Sequence, residues 1–149
     1  MAPRTTGSTL QQVARLFGIV FLLVGILGFV PGITTHYGDM SFAGHDSASK
    51  LLGIFQVSVL QNIVHLLFGV AGLALSRTWD GARSYLVGGG VIYLVLFVYG
   101  LFAHGGTSAN FVPVNTADNI LHLGLGVGLL GAGLALSGAR RGEPRMAGA

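Results

Sequence analysis

The 149-residue sequence contains no cysteine. That absence excludes disulfides, thiolate metal sites, iron–sulfur clusters and a cysteine nucleophile. Charge is nearly as scarce. Asp, Glu, Lys and Arg make up 9% of the chain, against about 25% in soluble domains. With 52% hydrophobic residues and a mean hydropathy of +0.72, too few polar side chains remain to cover a soluble fold. An ordinary soluble domain and a disordered chain are both excluded. The five acidic residues form no convincing acid/base pair. No H-E-x-x-H, G-x-S-x-G or P-loop is present. The chain therefore reads as non-enzymatic. The net charge of +3 does not point to nucleic acid either, because the basic residues flank apolar segments and form no stripe.

What remains is four apolar segments, at about 16–30, 51–76, 85–103 and 116–138. A helix rises 1.5 Å per residue, so crossing a ~30 Å hydrocarbon core takes about 20 residues. An open sheet is excluded because its edges go unsatisfied in lipid, and the segments are too few and too continuous for a β-barrel. The expected fold is an all-α, four-transmembrane-helix bundle in residues 16–138. It is preceded by a tail at 1–15 and followed by a basic tail at 139–149. The first segment, with Arg4 and Arg15 before it, has the outline of a signal peptide, but no A-x-A-like site follows Pro31-Gly32. It is read as a retained span.

Seven arginines, Arg4, Arg15, Arg77, Arg83, Arg140, Arg141 and Arg145, fall on one side of this arrangement. The positive-inside rule then makes both termini cytoplasmic in a plasma membrane. The loops at about 31–50 and 104–115 face outward and carry His36, His45 and His104. With Asp39 or Asp46 these histidines offer a surface divalent-ion site, but their spacing matches no metal motif and a solvated loop is the simpler reading.

The chain also repeats itself. Residues 61–70 read QNIVHLLFGV and residues 118–127 read DNILHLGLGV. Asn62 matches Asn119, His65 matches His122, and Gly69 matches Gly126. The preceding segments align as well, GIVFLLVGILG from Gly18 over GVIYLVLFVYG from Gly90. Each half is expected to be a two-helix hairpin. Two spans per half return the second hairpin in the same orientation, so the repeats are parallel.

Asn and His are rare inside membrane spans, and three residues apart they share a helix face. His65 and His122, supported by Asn62, Asn119, Gly69 and Gly126, are the candidate site, in the middle to outer half of the bilayer. Gln56, Ser58, Gln61 and Asp118 add polarity around it. Three functional readings compete. One is bis-imidazole ligation of a b-type haem in a slot lined by Phe17, Phe21, Phe68, Tyr93 and Phe97. A second is a divalent metal site completed by Asp118 or an outer-loop histidine. The third is a proton or ion pathway. Beside these stands a purely structural role, in which Asn and His hydrogen-bond across helices and clamp the bundle.

Glycine is abundant, 25 residues, much of it inside the apolar runs. In lipid it lets helix backbones approach closely. Gly124-x-x-x-Gly128 suits packing within the bundle, in a homo-oligomer or against a larger membrane complex. The stretches GIVFLLVGILGFVPG, QNIVHLLFGVAGLAL and NTADNILHLGLGVGLL together resemble an uncharacterised actinobacterial family of four-span membrane proteins, a domain of unknown function. The resemblance covers about residues 16–137. It implies four transmembrane helices and a plasma-membrane location, and no activity, ligand or partner.

Overall fold

A computed structural model describes residues 7–103 and 109–138. Among these residues the fold is mostly helical. Helix α1 spans Thr9–Leu27, α2 Val59–Leu75, α3 Trp79–Phe102 and α4 Thr116–Gly138. Three of the four, α1, α3 and α4, are long and apolar enough to cross a membrane, whereas α2 is a shorter apolar helix of 17 residues.

Local capping chemistry decides where the helices begin, and it moves three starts away from the edges of the apolar runs. Helix α1 starts at Thr9 because Ser8 and Gln11 form a reciprocal capping box. Its polar first turns stay in the fold because Leu10 and Ala14 are buried there. Gln11 also donates to the Ser76 and Arg77 carbonyls at the end of α2. Helix α3 starts at Trp79, before the expected 85, because the Thr78 side chain accepts from the Gly81 N–H at 3.1 Å. Trp79 is therefore the first residue of α3.

The largest departure lies in the second apolar run. Residues 51–58 are not helical. Leu52 (φ 55°) and Gly53 (φ 73°) both adopt left-handed backbone, which turns the chain back on itself. The result is a three-stranded antiparallel sheet of β1 (Thr34–Thr35), β2 (Lys50–Leu51) and β3 (Phe55–Gln56), in the order β1-β2-β3. The helix then begins at Val59, capped by Ser58. The expectation of an all-α chain is corrected to this extent: two-residue strands roof one end of the bundle.

The roof is tied to α4. Asn115 and Asp118 cap α4 reciprocally, with the Asp118 N–H donating to Asn115 Oδ1 at 2.9 Å and the Asn115 N–H to Asp118 Oδ2 at 3.0 Å. The same Asp118 oxygen accepts the Gln56 N–H from β3 at 3.0 Å. Asn115 Nδ2 donates to the Ile54 carbonyl at 2.8 Å. We call this the sheet end and the opposite one, with the short turn carrying Arg77, the arginine end.

The helices associate as two close pairs, α1 with α2 and α3 with α4. Glycine sets the closeness. A Cβ at Gly18 would lie 2.9 Å from the Leu73 nitrogen, and one at Gly90 only 2.5 Å from the Leu130 nitrogen. Between the pairs runs a seam of larger side chains: Leu10, Phe21, Tyr85, Leu86, Tyr93 and Leu129 are all buried there. Helices α2 and α4 lie across this seam from each other and hardly touch.

Candidate functional site

His65 and His122 both turn into the seam near the sheet end. His65 stacks on Phe21, with ring centroids 6.0 Å apart and planes 25° from parallel. Phe21 stacks in turn on Tyr93 at 5.4 Å and 19°. Tyr93 meets His122 at 5.5 Å in a tilted contact. The order across the seam is therefore His65, Phe21, Tyr93, His122. Phe68 braces the column edge-on, 4.9 Å from Phe21 and 5.8 Å from Tyr93, a favoured aromatic geometry.

Both histidines line the same space. A cavity of about 160 Å³ is bounded by Phe21, Gln61, His65, Tyr93, Asp118 and His122. A second, of about 110 Å³, reaches Ser58, Val64, Leu96 and Val112 and shares Gln61, His65, Tyr93 and His122 with the first. Gln61 and His122 are buried, 8% and 5% exposed. Gln61 Oε1, His65 Nδ1 and His122 Nδ1 are buried atoms without a hydrogen-bond partner in the protein. A buried polar atom left unpaired costs about 1–3 kcal/mol, so native structures supply such atoms with water or a ligand.

The asparagines and glycines of the motif do something else. Asn62 packs against Gly28 and Asn119 against Gly100, each so closely that a Cβ on the glycine would collide with the amide. A Cβ at Gly69 would lie 2.6 Å from the Leu22 nitrogen, and one at Gly126 3.0 Å from the Leu94 nitrogen. These four residues therefore close the interfaces within the helix pairs and do not open a slot beside the histidines. Asn119 also lines a wide groove of about 780 Å³ at the sheet end, together with Gln56, Asn110 and Asn115.

The arrangement does not fit a bis-histidine haem. The Phe21 and Tyr93 rings stand between the two imidazoles, and the cavities beside them, about 160 and 110 Å³, have room for one small ring and not for a macrocycle. Of the other expected slot residues, Phe68 braces the aromatic column. Phe17 flanks the core cluster, and Phe97 lines the sheet-end groove. A divalent metal lacks a ligand set, because no group of three His, Cys, Asp or Glu converges among the described residues. One Asp118 oxygen is already held by two backbone N–H groups. His45 pairs with Asp46 at 3.3 Å on the surface. His36 sits in a left-handed turn. His104 lies outside the described residues.

Sequence reasoning missed the roof. Leu51, Leu52, Phe55 and Val57 wall the larger cavity, and the one signal for them was Gly53 inside an apolar run. It also gave Gln61 too small a part.

Residues 11–135 match the family model for a domain of unknown function, DUF4383. The chain belongs to that family. The match takes in all four helices almost whole, and with them the roof, both histidines and the aromatic column. No curated protein and no solved structure matches the chain.

Proposed function

We propose that this chain is a small, non-enzymatic integral membrane protein that exchanges protons at an interior imidazole pair, the half-buried His65 and the buried His122. One observation carries the reading. Two imidazoles from opposite helix pairs line one cavity, and each keeps a buried Nδ1 with no protein partner. Histidines that only clamp helices spend those nitrogens on bonds across the seam. Asn62 and Asn119 pack tightly on Gly28 and Gly100, with their Oδ1 atoms also unpartnered but no cavity between them, whereas the imidazoles face a space that water and protons can enter. A cavity of this size admits more than one water, and histidine is the side chain whose ordinary titration lies near neutral pH.

The surrounding architecture is part of the proposal. The protein lies in the plasma membrane with both termini cytoplasmic, because Arg15, Arg77 and Arg83 sit at one end. The sheet end then faces outward. The two helix pairs are parallel hairpin repeats. The matched contacts Gly28–Asn62 with Gly100–Asn119, and Gly69–Leu22 with Gly126–Leu94, support this. Helix α4 presents Gly124 and Gly128 to open space, a smooth surface on which a second copy or a larger membrane complex packs. Toward the arginine end Leu10, Ala14, Ala82, Leu86 and Leu129 close the seam. Exchange therefore runs with the sheet-end side, and conduction through the bilayer requires that plug to open.

The test is nuclear magnetic resonance of ¹⁵N-histidine-labelled protein in lipid nanodiscs, titrated downward from about pH 8. Both imidazoles are expected to change protonation, and His65→Ala to shift the titration of His122. Two imidazoles that hold one tautomer and one charge state until the protein unfolds would sink the proposal. Pyranine-loaded liposomes give the second readout: flux abolished by either histidine variant means conduction, and none means one-sided exchange.

A further inference from the structure

The larger cavity lies beneath the sheet. Its roof is the β2–β3 hairpin, through Leu51, Phe55 and Val57. It opens sideways. Val20 of α1, Leu121 of α4 and Leu52 of the hairpin tip all line it, and they are 41%, 41% and 61% exposed. These residues are at once cavity wall and outer surface of the bundle. The mouth therefore lies between α1 and α4, which touch only sparingly, on a face that a membrane-spanning bundle turns to lipid. Val24 lies one turn from the end of α1 at Leu27, and Leu121 lies in the second turn of α4. The mouth thus sits within about 10 Å of the helix ends, where polar heads meet acyl chains.

The interior is graded from apolar to polar. Val20, Val24, Leu121 and Leu125 form the approach, and Gln61, His65 and His122 lie inside with their unpaired buried atoms. No lysine or arginine lines the cavity and Asp118 does, which disfavours an anionic lipid head. The flat walls are Phe21 and Tyr93. An apolar cavity of about 150 Å³ holds one benzene-sized ring, and this one is about 160 Å³.

We propose that the cavity is a side-entry site for a membrane-dissolved molecule of the quinone class. Its single ring packs beside Phe21 and Tyr93, its carbonyl oxygens accept from imidazole N–H groups, a hydroxyl of its quinol form donates to Gln61 Oε1, and its tail leaves between α1 and α4. The proposal is one of binding. It shares the histidine pair with the proton-exchange reading but stands without proton exchange.

A photoreactive benzoquinone with a short alkyl tail, applied to the full chain in nanodiscs, tests it. Saturable labelling is expected on the α2 and α4 peptides that carry His65 and His122, displaced by the unlabelled benzoquinone. Val24→Trp and Leu121→Trp, from the two lips of the mouth, are each expected to weaken labelling about tenfold or more. Thermal melting identifies the variants that stay folded. Labelling that never saturates and spreads over the lipid face overturns the proposal. So does displacement by oleate but not by benzoquinone, or labelling unchanged in a folded lip variant. Saturable labelling with histidines that never titrate retains this inference and removes the proton reading. Titrating histidines without saturable labelling do the reverse.

Discussion

The interface inside each helix pair and the seam between the pairs are built on opposite plans. Inside a pair, backbone meets backbone: Gly18 and Gly69 of the first pair, and Gly90 and Gly126 of the second, leave no room for a Cβ. Across the seam, ring meets ring, and cavities remain beside the rings. Close backbone approach is an efficient way to hold apolar helices in lipid, where burial of apolar surface supplies no drive. It also leaves nowhere for a ligand or a water. The bulky side chains of the seam pack less completely, and unpartnered Gln61 Oε1, His65 Nδ1 and His122 Nδ1 lie beside open space there, whereas the unpartnered Asn62 and Asn119 oxygens are packed against glycine inside the pairs. The molecule thus separates holding from doing, with rigid pairs on either side of an imperfectly filled joint.

That contrast is open to direct attack, starting where the expected effect is greatest. Gly69→Leu or Gly126→Leu puts a side chain against the backbone of the neighbouring helix, which cannot step aside. The expected loss is about 3 kcal/mol or more, seen as little or no folded protein on size exclusion. Normal folding of both would show that the pairs are not backbone-tight, and the contrast would fall. Phe21→Leu enlarges space in a joint that already has some, so about 1–2 kcal/mol is expected from thermal unfolding, with a changed imidazole signal for His65.

Asp118 links the two plans, because it caps α4 and also holds the roof. Asp118→Leu is expected to cost about 1–2 kcal/mol and to speed hydrogen exchange at the Gln56 amide. Asp118→Asn, which keeps an acceptor, should recover much of the loss. His65→Leu and His122→Leu sharpen the contrast further. Since each removes a buried atom that lacks a partner, the melting temperature should hold or rise. A drop equivalent to about 2 kcal/mol would instead reveal a clamp. Smallest of all, Gly124→Ala faces open space and should gain up to about 1 kcal/mol from helix propensity. A simultaneous fall in dimer content by light scattering would show that this face holds a second copy.

Much of this was legible beforehand, and the failures share a cause. The Asn-x-x-His spacing does place Asn62 and His65 on one side of α2. Three residues, however, are about 60° apart around a helix, enough to carry a side chain from the middle of one interface to its edge. Both therefore meet α1, but Asn62 lies in the tight interface against Gly28 while His65 stacks on Phe21 at the border of the seam. Hydropathy likewise could not divide the run at 51–76, since a roof strand that walls an apolar cavity is as apolar as a helix in lipid. The divider is local backbone chemistry at Leu52-Gly53 and at the Ser58 cap. Glycine beside a ligand and glycine beside a backbone look alike in sequence, so the packing of Gly69 on Leu22 and of Gly126 on Leu94 was not legible there.

The sequence by itself determined the membrane-type composition, the four apolar segments, the glycine-rich surfaces and the pairing of Asn and His. Each of these follows from local composition or from periodicity along one helix. Only the tertiary structure decided which neighbour each side of a helix meets. It set Asn62 and Asn119 against glycine, brought His65 and His122 to one cavity, slid Phe21 and Tyr93 between them and folded Leu51–Val57 over the top. Those outcomes depend on the rotation of each helix about its axis, and packing between chain segments far apart in sequence sets that rotation.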